Sequence, residues 1–404
     1  MMPADPGHFD LAPGFHASAV ACGLKPGGAL DLALISTDGP CAAAGVFTTN
    51  RVQAAPVRYD REVLGGNAAD IRAVIANAGC ANACTGERGM EAARHMAALT
   101  SGALGVEAGQ VLVLSTGVIG RHLDLDKVAR GIAALGARAS EQGAMAAARA
   151  ILTTDTRPKT AAADLDAGGG PIALRGFAKG AGMIHPGLAT MLAVVTTDAD
   201  LAPGSLREAL TSAVARSFNR VSVDGDMSTN DTVLLLASRA APVALDDAGL
   251  RAFTDALTGV CGSLARQIAR DGEGATRLVE ITVTGGRDEA EAHTVADSIA
   301  RSPLVKTAIH GGDPNWGRVL AAAGYSGAAL DPDRLTLDFG APGEAITVVR
   351  GGLPAPYDES AASALLRRDP AILRLDLARG TGEATVWTCD FSAEYVAINA
   401  HYTT

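Results

Sequence analysis

Short apolar runs alternate with longer segments of helical periodicity along the first half of this 404-residue chain, and this alternation strongly constrains the fold. Residues 73–75 and 111–114 form apolar runs of strand length, whereas residues 87–99 and 125–152 have helical patterning. No apolar run is long enough to cross a bilayer. Strands that alternate with helices are typical of an α/β fold.

The second half of the chain has longer helical patterns and a different kind of strand. A capping-box spacing at residues 205–208 predicts the start of one helix, and an apolar stripe along residues 250–268 predicts a second. Apolar and polar residues alternate at 279–284 and 335–339, which predicts strands with one buried face. The glycine-rich segment 379–383 is typical of a turn between antiparallel neighbours. Together the two halves predict an α/β chain whose mixed or antiparallel sheets are covered by helices.

The composition restricts the partners of the chain. Its net charge of -10 disfavours nucleic acid and anionic membranes, because both require a basic surface, so small molecules are the expected ligands. The first residues have neither a basic region nor a long apolar stretch, which favours a cytoplasmic location over secretion. The six cysteines contain no Cys-x-x-Cys pair, so we expect neither a disulfide framework nor a metal site.

A loop broken by glycine and proline, residues 179–189, delivers Thr190 to the start of the apolar run 191–195. A hydroxyl in this position has two interpretations. The structural one is a threonine at the edge of a strand, after a turn. The catalytic one is a nucleophile that is released, with its α-amine as base, when the chain cuts its own backbone before Thr190. The residue pattern alone leaves both interpretations open.

Several polar segments follow or interrupt the apolar runs and are candidates for the rest of a site. Residues 115–120 follow a buried run at a strand end, where hydroxyl and amide donors suit an oxyanion hole. Lys179 is one of only five lysines in a chain with 34 lysines and arginines, which suggests that a compact ammonium is needed there. The loops 77–86, 224–232 and 271–276 are either functional or ordinary Asx turns.

Eight ordered motifs closely resemble the ornithine acetyltransferase family of arginine biosynthesis. They are Ser-Thr-Gly-Val-Ile-Gly at 115–120, Thr-Thr-Asp-Thr at 153–156, Lys-Gly-Ala-Gly-Met-Ile at 179–184, Ala-Thr-Met-Leu at 189–192, Asp-Gly-Asp-Met-Ser-Thr-Asn-Asp-Thr at 224–232, Asp-Gly-Glu-Gly-Ala-Thr at 271–276, Asp-Pro-Asn-Trp-Gly-Arg at 313–318 and Ile-Asn-Ala-His-Tyr-Thr-Thr at 398–404. The resemblance extends from Phe15 to the last residue.

The resemblance assigns roles to particular residues. It implies self-cleavage between Ala189 and Thr190, so that residues 1–189 and 190–404 become separate chains and Thr190 becomes the nucleophile. It also implies an oxyanion hole formed by Thr116 and Gly117. The substrate-binding residues that it implies are Thr153, Lys179, Thr190, Glu273, Asn399 and Thr404.

The same resemblance implies a fold and a reaction. The fold is a layered α-β-β-α sandwich, of the type shared with aminopeptidases that have a threonine nucleophile. The reaction is a ping-pong acetyl transfer from N2-acetyl-L-ornithine to L-glutamate, which yields ornithine and N-acetylglutamate in a heterotetramer of two chains of each kind. No cofactor is required, and acetyl-CoA stays open as a second acetyl donor.

Two alternatives belong to other functional classes. A self-processed aminopeptidase with an N-terminal threonine would share the cleavage and the nucleophile but would act on small peptides. A non-catalytic protein that binds a small molecule would never be cleaved. The cleavage and the acetyl acceptor therefore separate the three functions.

Overall fold

The computed structural model describes residues 9–135, 141–166, 170–185, 191–241 and 243–401, which form two β-sheets flanked by helices. The strands of the first sheet are β1 (Phe15–Val20), β2 (Leu32–Phe47), β3 (Ile71–Cys80), β4 (Val111–Val118), β5 (Glu141–Gln142), β6 (Lys159–Asp166), β7 (Pro171–Lys179), β8 (Leu192–Thr197) and β9 (Thr232–Ala237). Those of the second are β10 (Leu278–Gly286), β11 (Thr336–Ala341), β12 (Glu344–Arg350), β13 (Leu353–Pro354), β14 (Ala371–Asp376) and β15 (Gly382–Cys389).

The α-helices lie between these strands along the chain. They are α1 (Ala55–Asn67), α2 (Gly86–Leu104), α3 (Leu125–Leu135), α4 (Ala144–Ala150), α5 (Pro203–Ala215), α6 (Asp247–Arg270), α7 (Glu289–Arg301), α8 (Pro303–Gly311), α9 (Trp316–Gly324), α10 (Glu359–Leu366) and α11 (Ala393–His401). Short 3-10 turns occur at Pro26–Gly28, Ala108–Gln110, Phe218–Arg220 and Pro332–Arg334.

The first sheet forms two layers that are joined by the long strand β2. The first part of β2 pairs with β3, whereas residues 42–47 pair with β9. Val74 and Leu112 of one layer share an apolar cluster with Val194 and Leu234 of the other. The inner faces of the two layers therefore pack against each other, as in a sandwich.

Helices cover the outer face of each layer. Ile75 and Val113 point outward from the first layer and pack with apolar residues of α1, α2 and α3. Val195 and Leu235 point outward from the second layer and pack with α5 and α6. The order of the layers is helix, sheet, sheet, helix, which confirms the predicted α-β-β-α sandwich.

Helix α6 shows how the local sequence determines this packing. Asp246 caps its first turn by accepting a 2.7 Å hydrogen bond from the backbone N–H of Gly249. Phe253, Leu257 and Leu264 repeat at helical spacing and are fully buried against the sheet. The predicted helix over residues 250–268 is thus confirmed.

The second sheet has the strand order β13-β12-β11-β14-β10-β15. Val279, Ile281 and Val283 of β10 are buried in its core, as their alternation predicts. The predicted hairpin turn at 379–383 is wrong, because β14 and β15 do not pair with each other. Both pair with β10, β14 in parallel and β15 antiparallel. A glycine-rich turn limits the backbone conformation but does not select the strand partner.

Two helix predictions need correction. Helix α5 begins at Pro203, with Ala202 at the N-cap, so Ser205 lies inside the first turn and does not cap it. Proline is favoured at this first helical position because its φ angle is already helical. An N–H group at this position would have no acceptor within the helix, so its absence in proline costs no hydrogen bond. The pattern over residues 125–152 does not form one helix, since β5 separates α3 from α4.

Both of the fragments predicted from cleavage contribute strands to the first sheet. Strands β7 and β8 flank residue 189 in the sequence and pair with each other in the first sheet. The second sheet comes entirely from residues after 277. No helix in the described part of the chain is both long and apolar enough to cross a membrane.

Candidate active site

A cavity of about 270 Å³ lies where the carboxyl ends of β4 and β7 approach the loop before β9 and helix α11. The structure brings six predicted site residues into its lining: Thr116, Gly117, Thr153, Lys179, Glu273 and Asn399. The predicted residues Ala189, Thr190 and Thr404 lie outside the described residues. The volume is slightly below the range of about 300–1,000 Å³ for sites of drug-sized ligands, which suits a ligand the size of an amino acid.

Lys179 is the last residue of β7, and its side chain is almost completely buried in the cavity wall. Its Nζ donates a hydrogen bond of 2.8 Å to Thr153 Oγ1 and lies 3.7 Å from Asp155 Oδ2. Burial lowers the pKa of Lys179, and the carboxylate of Asp155 acts in the opposite direction. A buried ammonium at a cavity wall is suited to bind an anionic group of a ligand.

Glu273 and Asn399 form another part of the wall. The backbone N–H of Glu273 donates to the carbonyl of Ala181 at 2.9 Å, which fixes the turn after α6. Asn399 Nδ2, on α11, donates to Glu273 Oε2 at 2.8 Å. Gly182 lies so close that a Cβ atom there would be 2.5 Å from the Glu273 carboxylate. This carboxylate is therefore held in place at the cavity, where it can bind a cationic group.

The end of β4 carries the predicted oxyanion hole. Gly117 has a φ angle of 129°, and a Cβ atom there would lie 2.4 Å from the carbonyl carbon of Gly79, so glycine alone fits this position. Asn230 Nδ2 donates to the carbonyls of Ser115 at 2.9 Å and of Ala81 at 2.7 Å. These bonds fix the strand end, although the oxyanion role of Thr116 and Gly117 stays a prediction.

Two aspartates of the loop before β9 hold the backbone on both sides of the predicted cleavage junction. Asp224 accepts hydrogen bonds from the N–H groups of Met183 at 2.6 Å and Ile184 at 2.8 Å. Asp231 Oδ1 accepts one from the N–H of Met191 at 2.9 Å. Burial raises the pKa of Asp224 to about 6 and also raises the pKa of Asp231. One loop thus positions the chain before and after the junction.

Sequence reasoning missed two residues of this site. Tyr395, on α11, reaches the cavity and stacks on Phe391 with 4.6 Å between ring centroids, and no local pattern marks it. Asp155 contacts Lys179 and lies inside the Thr-Thr-Asp-Thr motif, which is the signal that could have found it. Within the described part of the chain, no three His, Cys, Asp or Glu side chains are grouped so as to hold a metal ion.

Comparison with known proteins gives consistent matches. A family model described as the ArgJ family matches residues 16–404. The arginine biosynthesis bifunctional protein ArgJ of Symbiobacterium thermophilum is 48% identical over 396 residues, 97% of each chain. The crystal structure of the protein with the same name from Bacillus halodurans is 43% identical, with a TM-score of 0.50, over 52% of this chain and 98% of that chain. An ornithine acetyltransferase of Mycobacterium tuberculosis, complexed with ornithine, is 36% identical over 45% of this chain and 94% of that chain, with a TM-score of 0.38.

The layered α/β fold and the convergence of hydroxyl, ammonium, amide and carboxylate groups at strand ends define an enzyme site for a small molecule. The match over nearly the whole length then identifies the particular kind of enzyme. The chain belongs to the ArgJ family, a family of arginine-biosynthesis enzymes, which confirms the family resemblance seen in the sequence.

Proposed function

We propose that the chain transfers the acetyl group of N2-acetyl-L-ornithine to L-glutamate by a ping-pong mechanism. In this proposal the chain first cuts itself between Ala189 and Thr190, and Thr190 then carries the acetyl group. One observation carries the proposal: the predicted oxyanion-hole pair and four polar side chains predicted to bind substrate line a single cavity in a member of the ArgJ family.

The charges at the cavity complement both ends of N-acetylornithine and the α-carboxylate of glutamate. In this proposal the ammonium of Lys179, which lines the cavity, binds the α-carboxylate that N-acetylornithine and glutamate share. The carboxylate of Glu273, which also lines the cavity, binds the side-chain ammonium of N-acetylornithine. The hydroxyl of Thr153 is oriented by the hydrogen bond from Lys179. The proposed reaction requires no cofactor.

The proposed transfer has two half-reactions. Thr190 Oγ attacks the acetyl carbonyl, and the α-amine of Thr190, whose reference pKa is about 7.7–8.0, takes the proton. Thr116 and Gly117 stabilise the oxyanion, each donor contributing roughly a hundred- to thousandfold in rate. The proton is returned to the leaving nitrogen, and ornithine departs. The amine of glutamate then attacks the acetyl ester, the bond to Thr190 Oγ breaks, a proton passes from the amine to that oxygen, and N-acetylglutamate leaves. One amide is exchanged for another, so no external energy source is needed.

Two observations support the self-cleavage. The hydrogen bonds of Asp224 and Asp231 hold the backbone N–H groups of Met183, Ile184 and Met191, which lie on both sides of the junction in the sequence. The match to the solved Bacillus halodurans chain covers 98% of that chain but only 52% of this one, or about 210 of 404 residues. A chain of that length corresponds to one of two fragments.

Replacing Thr190 tests both steps of the proposal. The wild-type protein should migrate as two fragments, residues 1–189 and 190–404, and should form N-acetylglutamate from N-acetylornithine and glutamate. Thr190→Ala should stay as one chain and be inactive. The exposed Thr211, on α5, gives a matched control, and Thr211→Ala should be cleaved and active. Processing or activity of the Thr190→Ala protein would contradict the assignment.

The same preparation separates the other possibilities. Peptide hydrolysis without formation of N-acetylglutamate would favour the self-processed aminopeptidase. Formation of N-acetylglutamate from acetyl-CoA and glutamate alone would establish acetyl-CoA as a second donor. Light scattering after size-exclusion chromatography tests the proposed heterotetramer of two chains of each kind.

A further inference from the structure

Four buried charged side chains alternate in sign from the cavity wall to the end of α6: Lys179, Asp155, Lys159 and Asp271. Lys179 Nζ lies 3.7 Å from Asp155 Oδ2, and Lys159 Nζ lies 2.5 Å from Asp155 Oδ1 and from Asp271 Oδ2. None of the four side chains is more than 4% exposed. Of these four residues, Lys179 lines the cavity and the other three do not.

Asp155 is at the centre of this charge chain and also fixes the local backbone. Its Oδ1 accepts a 2.6 Å hydrogen bond from the N–H of Gly180, the residue after Lys179. Its Oδ2 accepts one of 3.1 Å from the N–H of Thr153. One carboxylate thus holds both residues that form the Lys179–Thr153 pair at the cavity.

The far end of the charge chain reaches the segment that contains Glu273. Asp271 lies two residues before Glu273 and accepts hydrogen bonds from the N–H and hydroxyl groups of Thr156. Lys159 joins Asp271 to Asp155. The three cavity segments that carry Thr153, Lys179 and Glu273 are therefore linked through buried ion pairs.

Electrostatics shows why the central carboxylate matters. A buried ammonium without a counter-charge loses its proton, because burial disfavours the charged form. The ammonium groups of Lys179 and Lys159 hold the pKa of Asp155 well below its ordinary range, although burial alone would raise it, so Asp155 stays ionised. The other charged groups that act on Lys179 are Lys159, Glu273, Asp231 and Lys25.

We propose that Asp155 is a positioning residue for acetyl transfer: it keeps Lys179 as an ammonium directed at the α-carboxylate of either substrate and aligns Thr153 with it. This inference rests on the function proposed above. Because both substrates share the α-carboxylate, loss of Asp155 should weaken the binding of both substrates by a similar factor.

The test is the pH dependence of KM in Asp155→Asn. Asparagine keeps the shape and one acceptor oxygen but removes the counter-charge, so the pKa of Lys179 should fall further. The KM values for N-acetylornithine and glutamate should both rise at least about tenfold over wild type at about pH 9, and by a clearly smaller factor at about pH 6, where Lys179 regains its proton and only one backbone hydrogen bond stays lost. The value of kcat should change less than about threefold, because the reacting atoms are untouched.

Two control variants define the largest and the smallest effect expected on KM. Lys179→Met should raise both KM values at every pH, since it removes the charge permanently. Asp164→Asn, at an exposed ion pair with Arg175 on the strand of Lys159, should leave both profiles unchanged. The proposal would be overturned if Asp155→Asn raised both KM values by the same factor at every pH, or if it left both KM values unchanged. A wild-type protein that forms no N-acetylglutamate would refute the proposed function instead.

A direct measurement keeps the inference testable if Asp155→Asn does not fold. The chain has only five lysines, so lysine labelled with ¹³C at Cε gives five resonances in the wild-type protein. The Lys179 resonance is assigned by its loss in Lys179→Arg. It should report an ammonium at about pH 8, despite burial. A neutral amine at that pH would overturn the proposal.

Discussion

Replacing Gly117 by alanine tests the role of the β4 end in catalysis. The new Cβ atom would lie 2.4 Å from the carbonyl carbon of Gly79 and 2.6 Å from the nitrogen of Cys80. Real Cβ contacts essentially never fall below 3.0 Å, so the two strand ends must separate. Both contacts are to backbone atoms, which no change of side-chain rotamer can relieve.

The expected loss follows from this displacement. Moving one donor away from the oxyanion costs roughly a hundred- to thousandfold in kcat, or about 3 kcal/mol of transition-state stabilisation. The φ angle of 129° adds about 1–2 kcal/mol of strain to the folded state, because L-residues disfavour positive φ. Gly120, three residues after Gly117, gives a matched control, since its φ is 79° but a Cβ there would meet no atom within 4 Å.

The assay measures the rate of ornithine release from N-acetylornithine with saturating glutamate. The fraction of processed protein in each preparation is measured on a denaturing gel. Gly117→Ala should lose at least about a hundredfold in kcat per processed molecule, whereas Gly120→Ala should keep kcat and lose only about 1 kcal/mol of stability. If the two variants have equal kcat while both are folded, the placement of the oxyanion hole at Gly117 is refuted.

Three further predictions address other contacts of the site. Gly182→Ala should raise KM for N-acetylornithine about tenfold with a smaller change in kcat, because its Cβ would displace the Glu273 carboxylate; an unchanged KM would contradict this. Asp231→Ala should slow the appearance of the two fragments by leaving the buried N–H of Met191 without its acceptor, and Asp231→Asn should restore the rate. The folded-state pKa of Asp224 is raised to about 6, so the folded protein binds this proton more tightly than the unfolded chain. Its contribution to stability should therefore fall by up to about 3 kcal/mol as pH rises from about 4 to 6, and Asp224→Asn should lose this dependence in urea unfolding.

Where chemistry and periodicity are local, the sequence predicts the fold well. The stripe of α6 and the alternation of β10 each follow from side chains that repeat on one face. The donors of the β4 end could likewise be predicted, because they follow a short apolar run. Lys179 could be predicted because lysine is rare in this chain, although its position at the end of β7 could not. The α-β-β-α order came from the family resemblance and not from these patterns.

Features that depend on distant contacts could not be predicted. Strand β10 separates β14 from β15, although only the segment 377–381 joins these two in the sequence. Tyr395 enters the cavity because α11 packs beside the turn of Gly274, where a Cβ atom would lie 2.4 Å from the Tyr395 nitrogen. The hydrogen bonds of Asp224 and Asp231 join segments about 40 residues apart in the sequence. The spacing of residues does not reveal that these segments are in contact.

The most direct test of the account is to trap the acetyl group on the enzyme. Purified protein is incubated with N-acetylornithine without glutamate, quenched in acid and analysed by intact mass and peptide sequencing. The fragment of residues 190–404 should begin at Thr190, carry one acetyl group on the Thr190 side chain, and lose it when glutamate is added. An active protein that remains one chain, or whose acetyl group is on another residue, would contradict the account.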